Sequence, residues 1–291
     1  NAFYLEELIR SVSMFGISAP RGPQSTTGAR PRSSLAPMAL PDTVLTMVQA
    51  RLEALEAEAR RVLRAGSVFG QTFWRGGVVA LLAGEDNDAH VMSWLDELCL
   101  REIVSRRDDT KFRGEQEYLF RHAFIAEAAY SMLTDKDRTI GHRLAAHWLE
   151  KVGESEAVVL AEHLERGGEP KRAITFYRRA AAQALEGNDL AACLQRADAG
   201  IACGAEGEVL GRLALRKAEA HRWRGENLQA KACAEQALLL LPRGGRRWFL
   251  AAGETVEATA RLGHEGDLHR AVDELCDGGP AGALTAPHLV A

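Results

Sequence analysis

A short signature recurs four times in the C-terminal half of the chain and constrains its fold more than any other feature. It reads Gly, then Glu, Asn or Asp, then three variable residues and Ala, and its copies begin at Gly168, Gly187, Gly225 and Gly266, spaced 19, 38 and 41 residues apart. Each copy lies between two amphipathic runs. There Gly can end one helix in the left-handed conformation, and the polar residue can cap the next. The pattern predicts stacked helical hairpins, an architecture usually used for binding.

The composition favours helix and disfavours a dedicated nucleic-acid binder. The chain has 291 residues, enough for about two domains. Hydrophobic residues make up 46% and charged residues 26%, both ordinary values, while only 6% are aromatic. The net charge of −4 and the pI near 6.2 lack the basic excess that a phosphate-binding surface needs.

The sequence also bears on cellular location. Its five cysteines are scattered without a Cys-x-x-Cys pair, which is typical of small core residues in a reducing compartment. No apolar run approaches the roughly 18–20 residues of a membrane span, and no signal peptide is recognisable. We therefore expect a cytoplasmic protein that does not enter a membrane.

The first 40 residues divide into two segments. Apolar residues at helical spacing predict a helix over Ala2–Met14. Residues 15–40 mix prolines with Gly, Ser, Thr and Arg and show no periodicity, which predicts a flexible linker. Because the chain starts at Asn1 inside this helical pattern rather than at Met, we interpret it as a piece of a longer protein.

Residues 41–134 are predicted to form a winged-helix-like domain. Asp42 can cap a first helix, and Gly70 ends a second one. Two β-prone segments flank a polar loop and predict a β-hairpin, and helices followed by such a hairpin are the order of a winged helix. The predicted helices include Glu56–Phe69, Trp74–Leu82 and Asp88–Leu100, and the predicted strands are Glu102–Ser105 and Glu117–Phe120.

Residues 135–276 are predicted to form TPR-like helical repeats, and the Gly-, Pro- and Ala-rich residues 277–291 a disordered tail. Helices over His122–Leu133 and Asp137–Val152 lead into the repeats. The predicted fold class is mainly α, with a winged-helix domain that carries a small β-hairpin, followed by a TPR-like α-solenoid. The predicted repeat core contains Leu164, Ile174, Phe176, Leu185, Leu194, Leu213, Leu228, Leu238, Trp223 and Trp248.

Five segments taken in order resemble a known family. They are Asn1–Leu8, Leu40–Val44 with Ala50–Leu52, Ala65–Phe73, Phe120–Ile125 with Ala129–Tyr130, and Leu160–Gly168. In this order they resemble the large bacterial STAND-type signalling ATPases, AAA-like modules found beside Ser/Thr kinase, adenylate or guanylate cyclase, or LuxR-type output domains. The resemblance implies that residues 1–14 are the terminal helix of an upstream ATPase module. The chain departs from the family at Ala2, where relatives have Pro, and in residues 15–40, where relatives are more compact.

Catalytic motifs are absent from the sequence. A P-loop needs a Gly-Lys pair, because its amides and Lys hold the phosphates, and the chain has no such pair. It also lacks Gly-x-Gly, Gly-x-Ser-x-Gly and His-Glu-x-x-His. His142 and His147 diverge by about 140° on a helix, so they cannot easily share a metal. We expect no catalytic, cofactor or metal site here, and the resemblance places ATP and Mg²⁺ in the upstream module.

A winged helix suggests DNA binding, but its third helix argues against that function. This helix, Asp88–Leu100, carries Asp88, Asp96 and Glu97 and no Lys or Arg, so it would repel phosphate. Basic residues of the hairpin loop, among them Lys111, could contact a DNA backbone, but acidic neighbours offset them. A structural or protein-contact role is therefore expected, and nucleic acid is not an expected partner.

The candidate functional residues fall into three groups. Arg121 and His122 are candidates for an inter-domain contact, or alternatively cap the helix that follows the hairpin. The basic segment Arg243–Trp248 can bind an acidic partner or phosphate, or is an exposed loop before a helix. The candidate partner-binding residues on the repeats are Tyr177, Arg178, Gln195, Arg216, Arg222 and Gln229.

These features lead to two main hypotheses. In the first, the chain is a non-catalytic regulatory region of a multidomain bacterial signalling ATPase, whose TPR-like repeats bind a protein partner or effector and whose winged helix couples this event to the ATPase and output domains. In the alternative, it is a DNA-binding transcriptional regulator with a winged helix and a TPR ligand or oligomerisation domain. A third hypothesis is that the chain is a free-standing TPR adaptor.

Overall fold

The chain is mainly helical with a small three-stranded sheet. The structure is a computed structural model that describes residues 48, 52–82, 88–263, 266, 269, 272 and 273. The predicted segments 1–14, 15–40 and 277–291 lie outside these residues. In chain order the elements are α1 Ala57–Val68, β1 Thr72–Trp74, α2 Arg75–Leu81, α3 Asp88–Leu100, β2 Val104–Arg106, β3 Glu117–Phe120, α4 Ala123–Ser131, α5 Asp135–Val152, α6 Ala157–Arg166, α7 Pro170–Glu186, α8 Leu190–Ala202, α9 Gly207–Trp223, α10 Asn227–Leu240 and α11 Arg246–Leu262.

The sheet contains a strand that the sequence did not predict. The strand order is β1-β3-β2 with both pairings antiparallel, and Phe73 of β1 lies opposite Tyr118 of β3. The sequence predicted a two-stranded hairpin, and this is wrong because the sheet has a third strand. Strand β1 was missed because its three residues are too few to show an alternation of apolar and polar side chains. Strand β3 coincides with its predicted range. Strand β2 begins two residues later than predicted, since Glu102 adopts a positive φ of 57° that an extended strand does not allow.

Helices α1, α3 and α4 pack with the sheet around one apolar core. Its fully buried side chains include Leu63 of α1, Leu95 of α3 and the β-strand residues Phe73, Tyr118 and Phe120. The Phe73 and Tyr118 rings stack with centroids 5.7 Å apart. This core fixes the position of the β2–β3 loop at one end of the sheet.

Helix α5 is defined by sequence signals at both ends. Thr134 accepts a hydrogen bond from the Asp137 backbone N–H at 3.1 Å, which caps the first turn. Gly153 ends the helix in the left-handed conformation, with a φ of 83°. The helix contacts α1 and α2 on one side and α6 on the other, so it belongs to both parts of the described chain.

The repeated signature forms helix-connecting turns, with a one-residue shift in its second copy. The left-handed residues are Gly168, Asn188 and Gly225, with φ values of 75°, 56° and 75°. In the second copy Asn188 therefore takes the turn position in place of Gly187, whose φ is −80°. Asparagine tolerates this conformation better than other non-glycine residues do.

The residues after each turn follow the same shifted register. Glu169, Asp189 and Glu226 are the N-cap residues of α7, α8 and α10, but of these three only Asp189 caps with its side chain, accepting from the Ala192 N–H at 3.0 Å. Four residues beyond each N-cap, a small residue is fully buried. These residues are Ala173, Cys193 and Ala230.

The fourth copy of the signature is not a turn at its glycine. Gly266 is helical, and the left-handed residue is Gly263, which ends α11 with a φ of 74°. The prediction that Gly266 ends a helix is therefore wrong by three residues. Beyond Gly263 the structure describes only residues 266, 269, 272 and 273, and all four are helical.

Burial confirms part of the predicted repeat core. Leu164, Ile174, Leu213 and Trp248 are buried, and Phe176, Leu185, Leu194 and Leu238 are half-buried. Two predictions are wrong, because Leu228 is 65% and Trp223 is 64% exposed. Leu228 lies in the first turn of α10 on its outer face, and Trp223 ends α9, where the Arg222 guanidinium lies 4.9 Å from its ring centroid.

Candidate functional site

An aromatic cluster joins the sheet-bearing part to the helices that follow it. This junction cluster consists of the buried residues Trp74, Phe112, Trp148, Leu149 and Leu160, with Phe69 packed against them. Phe112, from the β2–β3 loop, lies 4.8 Å from Trp74 and 5.7 Å from Trp148 between ring centroids. Such offset and edge-to-face pairs add to the stability gained by burying the rings. The loop that would be the free wing of a winged helix is therefore inserted against α5.

An ion pair holds the same loop at its other side. Lys111 Nζ lies 2.7 Å from the buried Glu154 carboxylate, which follows α5, and 3.2 Å from Glu156. Burial alone would lower the pKa of Lys111, but its hydrogen bonds to Glu154 and then Glu156 raise it. A buried carboxylate is stable only when it is paired and hydrogen-bonded, so Glu154 fixes the loop in this position.

A second buried carboxylate orders the base of the loop. Glu117 of β3 accepts hydrogen bonds from the Trp74 Nε1–H at 3.1 Å and the Lys111 backbone N–H at 3.0 Å. Arg107 lies 3.2 Å from its other oxygen. These partners satisfy both carboxylate oxygens, so the loop reaches α5 from a fixed starting point.

A buried polar chain lies next to the junction cluster. The Tyr130 hydroxyl is hydrogen-bonded to His142 Nε2 at 2.8 Å, and His142 Nδ1 to His163 Nδ1 at 3.0 Å. Burial, and then the charges of Arg166 and Arg138, lower the pKa of His142 to about 4. Burial, and then the charges of His142 and Arg166, lower the pKa of His163 to about 3. Both rings are therefore neutral near pH 7, when one Nδ1–H can donate to the other Nδ1.

The outer face of α3 does not offer a surface for reading DNA. Its exposed side chains include Met92, Asp96 and Leu100. Glu97 is paired with Arg101 at 2.7 Å, so this nearby cation is already neutralised. The face is apolar and acidic, whereas a helix that reads the major groove presents Arg, Lys, Asn or Gln.

The two candidates for an inter-domain contact lie at the start of α4. Arg121 is exposed, with Nη1 3.6 Å from Glu102. His122 is the N-cap residue of α4, but its side chain makes no capping hydrogen bond and stacks on Phe124 with centroids 5.0 Å apart. The alternative that His122 caps the helix with its side chain is therefore wrong. Neither residue belongs to the junction cluster.

Tyr177 and Arg222 are occupied within the fold. Tyr177 is 4% exposed, and its hydroxyl donates to Glu165, which removes it from the accessible partner-binding candidates. Arg222 lies 2.7 Å from Glu254 of α11 and thus fastens α9 to α11. The sequence could not foresee these partners, because each lies on another helix.

The other four candidates remain on the surface. Gln195 and Gln229 are exposed, on α8 and α10. Arg178 and Arg216 are half-exposed, on α7 and α9. Of these four residues, only Arg178 and Arg216 lie on α7 and α9, two alternate helices that also contact each other.

The sequence did not single out the residues that build the junction. Phe112 carried a usable signal, because it is the lone aromatic residue in the polar loop 106–116. Lys111 was interpreted as a candidate DNA-backbone contact, and the structure corrects this, since its ammonium is paired with Glu154. Nothing local marks Glu154 or His163, because their partners lie far along the chain.

The described residues contain few features for small-molecule chemistry. A cleft of about 200 Å³ lies between α1, α2 and α5, with Arg61, Arg64 and Asp137 among its lining residues. It is smaller than the roughly 300–1,000 Å³ of usual ligand sites. In this part of the chain no group of three or more His, Cys, Asp or Glu side chains is placed to hold a metal ion. None of the helices described is long and apolar enough to cross a membrane.

Comparison with known proteins gives no further guide. No protein-family model and no curated protein matches the chain. Any function must therefore be inferred from the junction cluster and from the surface of the helices that follow it.

Proposed function

We propose that the chain is a non-catalytic regulatory region of a cytoplasmic bacterial STAND-type signalling ATPase. Its TPR-like repeats bind a protein partner or effector, and its winged helix passes the event to the ATPase and output domains. ATP and Mg²⁺ belong to the upstream module. The observation that carries the proposal is the junction cluster, in which Phe112 and Lys111 of the β2–β3 loop pack against Trp148 and Glu154.

The order of elements supports the winged-helix part of the proposal. A helix, a strand, two helices and two strands follow one another from α1 to β3, and β1 completes a three-stranded sheet. The loop between β2 and β3 occupies the position of a wing. Because this wing is buried against α5, it serves as an internal contact rather than as a DNA-binding element.

The packing order of the later helices supports the repeat part. From α6 to α11 each helix contacts the next along the chain, and α9 contacts both α7 and α11. Contacts between alternate helices are expected in a stack of hairpins, where each repeat packs on its neighbour. Thus α7, α9 and α11 form one continuous layer, on which a partner can contact several repeats at once.

Helix α5 provides the route between the two parts. It contacts α1 and α2, carries Trp148 and His142, and also packs on α6. Gly141 lets α5 approach α1 closely, since a Cβ there would lie 3.1 Å from Val68 Cγ2. A packed helix of this kind can couple the repeats to the sheet-bearing part only if it has two alternative arrangements. Binding on either side must then favour one of these arrangements over the other.

The coding sequence upstream of Asn1 gives the first test. A P-loop motif there, next to a kinase, cyclase or DNA-binding output domain, is the expected result, and its absence would overturn the proposal. In the longer protein we expect Phe112→Ala to change ATP turnover, whereas Arg113→Ala, at an exposed position of the same loop, leaves it unchanged. The purified 291-residue chain should show no ATP turnover.

A second test separates this function from transcriptional regulation. We expect the chain not to shift duplex DNA, because α3 is acidic and the wing is buried. A shift that disappears steeply with added salt would instead indicate a DNA-binding regulator.

A further inference from the structure

Arginines lie beside the buried contact between α7 and α9. Tyr177 of α7 and Leu213 of α9 meet around Gly200 of α8, where an added Cβ would lie 3.2 Å from the Tyr177 Cβ and 3.2 Å from Leu213 Cδ1. The adjacent residues in sequence are Arg178 on α7 and Arg212 on α9. Arg178 and Arg212 therefore flank this helix contact in the sequence, and both are half-exposed.

The same arrangement recurs between α9 and α11. Leu215 of α9 and Trp248 of α11 are buried in one apolar cluster. Their neighbours in sequence are Arg216 and Arg247. Four arginines thus follow the layer formed by α7, α9 and α11, and we name Arg178, Arg212, Arg216 and Arg247 the arginine ladder.

The ladder carries more positive charge than its surroundings neutralise. Arg212 is paired with Glu208 at 2.5 Å and Arg216 with Glu219 at 2.8 Å, each on the same helix. Within the described part of the chain, Arg178 and Arg247 have no carboxylate partner. Two cations therefore remain available to an incoming anion.

The crowding of like charges is visible at Arg178. Burial lowers the pKa of its guanidinium, and the positive charges of Arg212, Arg247, Arg179 and Arg216 lower it further. An unpaired, half-buried cation among like charges is unfavourable. A bound anion would relieve this repulsion, so the free protein is already arranged to favour one.

We propose that the arginine ladder is the docking surface for an acidic, extended protein segment. The inference rests on the proposed function, because it names the class of partner that the helical repeats bind. A guanidinium presents a planar fork of N–H donors that matches a carboxylate in two parallel hydrogen bonds. Arg178 and Arg247, which have no carboxylate partner among the described residues, can each take one carboxylate of the segment in this way.

The spacing of the helices sets the spacing of the carboxylates. Packed helices lie roughly 8–10 Å apart, and an extended chain advances about 3.3 Å per residue. In an extended segment that crosses the layer, acidic side chains at about every third position therefore meet α7, α9 and α11 in turn. Glu208 and Glu219 lie beside Arg212 and Arg216 and would repel a continuous polyanion, so spaced carboxylates fit this surface better than a nucleic-acid backbone does.

The binding test uses a labelled extended peptide with glutamate at every third position, and a matched peptide with glutamine there. Fluorescence anisotropy with the full chain should show binding of the glutamate peptide and much weaker binding of the glutamine peptide. We expect the double variant Arg178→Gln, Arg247→Gln to bind about 100-fold more weakly, since each charged hydrogen-bonding group contributes roughly tenfold. The control is Arg261→Gln, which removes one positive charge from the far end of α11 and should change affinity less than about twofold.

Two variants address folding and geometry. Because Arg178 and Arg247 have no ion pair among the described residues and Arg178 is crowded by like charges, the double variant should have a melting temperature at or above that of the wild type. Arg247→Lys retains the charge but not the fork, so it should bind with intermediate affinity. If Arg247→Lys bound as tightly as the wild type, Arg247 would not hold a carboxylate through two parallel hydrogen bonds.

A random peptide array probed with the full chain distinguishes the remaining outcomes. Acidic peptides that lose binding in the double variant support the ladder. Peptides that bind but are apolar or basic would overturn the ladder while leaving a partner-binding array intact. Failure of peptides of every composition to bind would overturn the ladder and, with it, a protein partner for the helical repeats in the proposed function. If single-stranded RNA or duplex DNA bound these arginines more tightly than the acidic peptides do, the partner would be a nucleic acid and not a protein.

Discussion

At the scale of single residues, the neutral pair His142 and His163 makes stability depend on pH. Both pKa values in the folded state, about 4 and about 3, lie below the ordinary value of 6.5. Below pH 6.5 the unfolded chain therefore binds more protons than the folded chain, so stability is fully present above this pH and falls as the pH drops toward 4. Protonation of both rings would also place two Nδ1–H donors against each other.

We expect the free energy of unfolding to fall by about 2 kcal/mol per histidine between pH 7.5 and pH 5. Urea unfolding at the two pH values measures this change. His163→Gln removes one titrating ring and should flatten the pH dependence by about that amount. Tyr130→Phe keeps both rings, so it should lower stability at both pH values and leave the pH dependence as in the wild type. Identical pH dependence in His163→Gln and the wild type would contradict this account.

Gly167, the residue that follows α6, lies close to the backbone of α5. A Cβ at this position would lie 2.8 Å from the backbone nitrogen of Arg143 and 2.9 Å from its Cα. Backbone atoms cannot move aside as a flexible side chain can. We expect Gly167→Ala to destabilise the protein by about 2 kcal/mol in urea unfolding, the usual cost of overpacking.

The matched control for Gly167 is Gly253→Ala in the interior of α11. No atom lies within 4 Å of a Cβ placed at Gly253. Alanine has a higher helix propensity than glycine, so this change should stabilise the protein by about 0.5–1 kcal/mol. Two Gly→Ala changes of opposite sign would show that the close contact, and not chain entropy, decides the effect at Gly167.

At the scale of elements, the β2–β3 loop acts as a clamp on α5. Removing the buried Phe112 ring leaves a cavity between Trp74 and Trp148, so Phe112→Ala should cost about 3–4 kcal/mol in urea unfolding. Hydrogen exchange should accelerate in the loop and in the C-terminal turns of α5, where Trp148 lies. Arg113→Ala, at the exposed neighbouring position, should leave both measurements unchanged. Unchanged exchange in α5 of Phe112→Ala would show that the loop does not hold the helix.

Elements with strong local signals could be predicted from the sequence, and their contacts could not. The caps at Thr134 and Gly153 define α5 through interactions within a few residues. In contrast, β1 depends on pairing with β3 more than forty residues later. The Asn188 turn shows an intermediate case, in which the signature was recognisable but its register was set by the burial of Cys193.

The candidate site divides in the same way. Arg178 and Arg216 could be selected from the sequence as polar residues on repeat helices, but their position in one ladder depends on how α7, α9 and α11 pack. Tyr177 looked equally suitable, yet it is buried and its Cβ meets Leu213 around Gly200. Helical spacing alone cannot tell a side chain that faces a neighbouring helix from one that faces solvent.

At the scale of the whole molecule, the junction cluster links cores that would otherwise be separate. The core around the sheet and the cores between α7 and α11 share no buried residue. Residues of α5 and α6, including Trp148, Leu149 and Leu160, bridge them. Stacked repeats tend to unfold in steps when the contacts between neighbours are weak. Cooperative unfolding of the described chain therefore depends on this bridge.

We expect the wild-type chain to unfold in a single transition, with coincident urea curves from tryptophan fluorescence and far-ultraviolet circular dichroism. Trp148→Ala removes the largest side chain of the bridge and should cost about 3–5 kcal/mol. Its two curves should separate, because the sheet-bearing part and the helices from α7 to α11 then unfold independently. The control is Trp223→Ala, which removes the same side chain from a position that is 64% exposed and should leave the curves coincident. If Trp148→Ala also unfolds in one transition, the two parts are coupled through contacts other than the junction cluster.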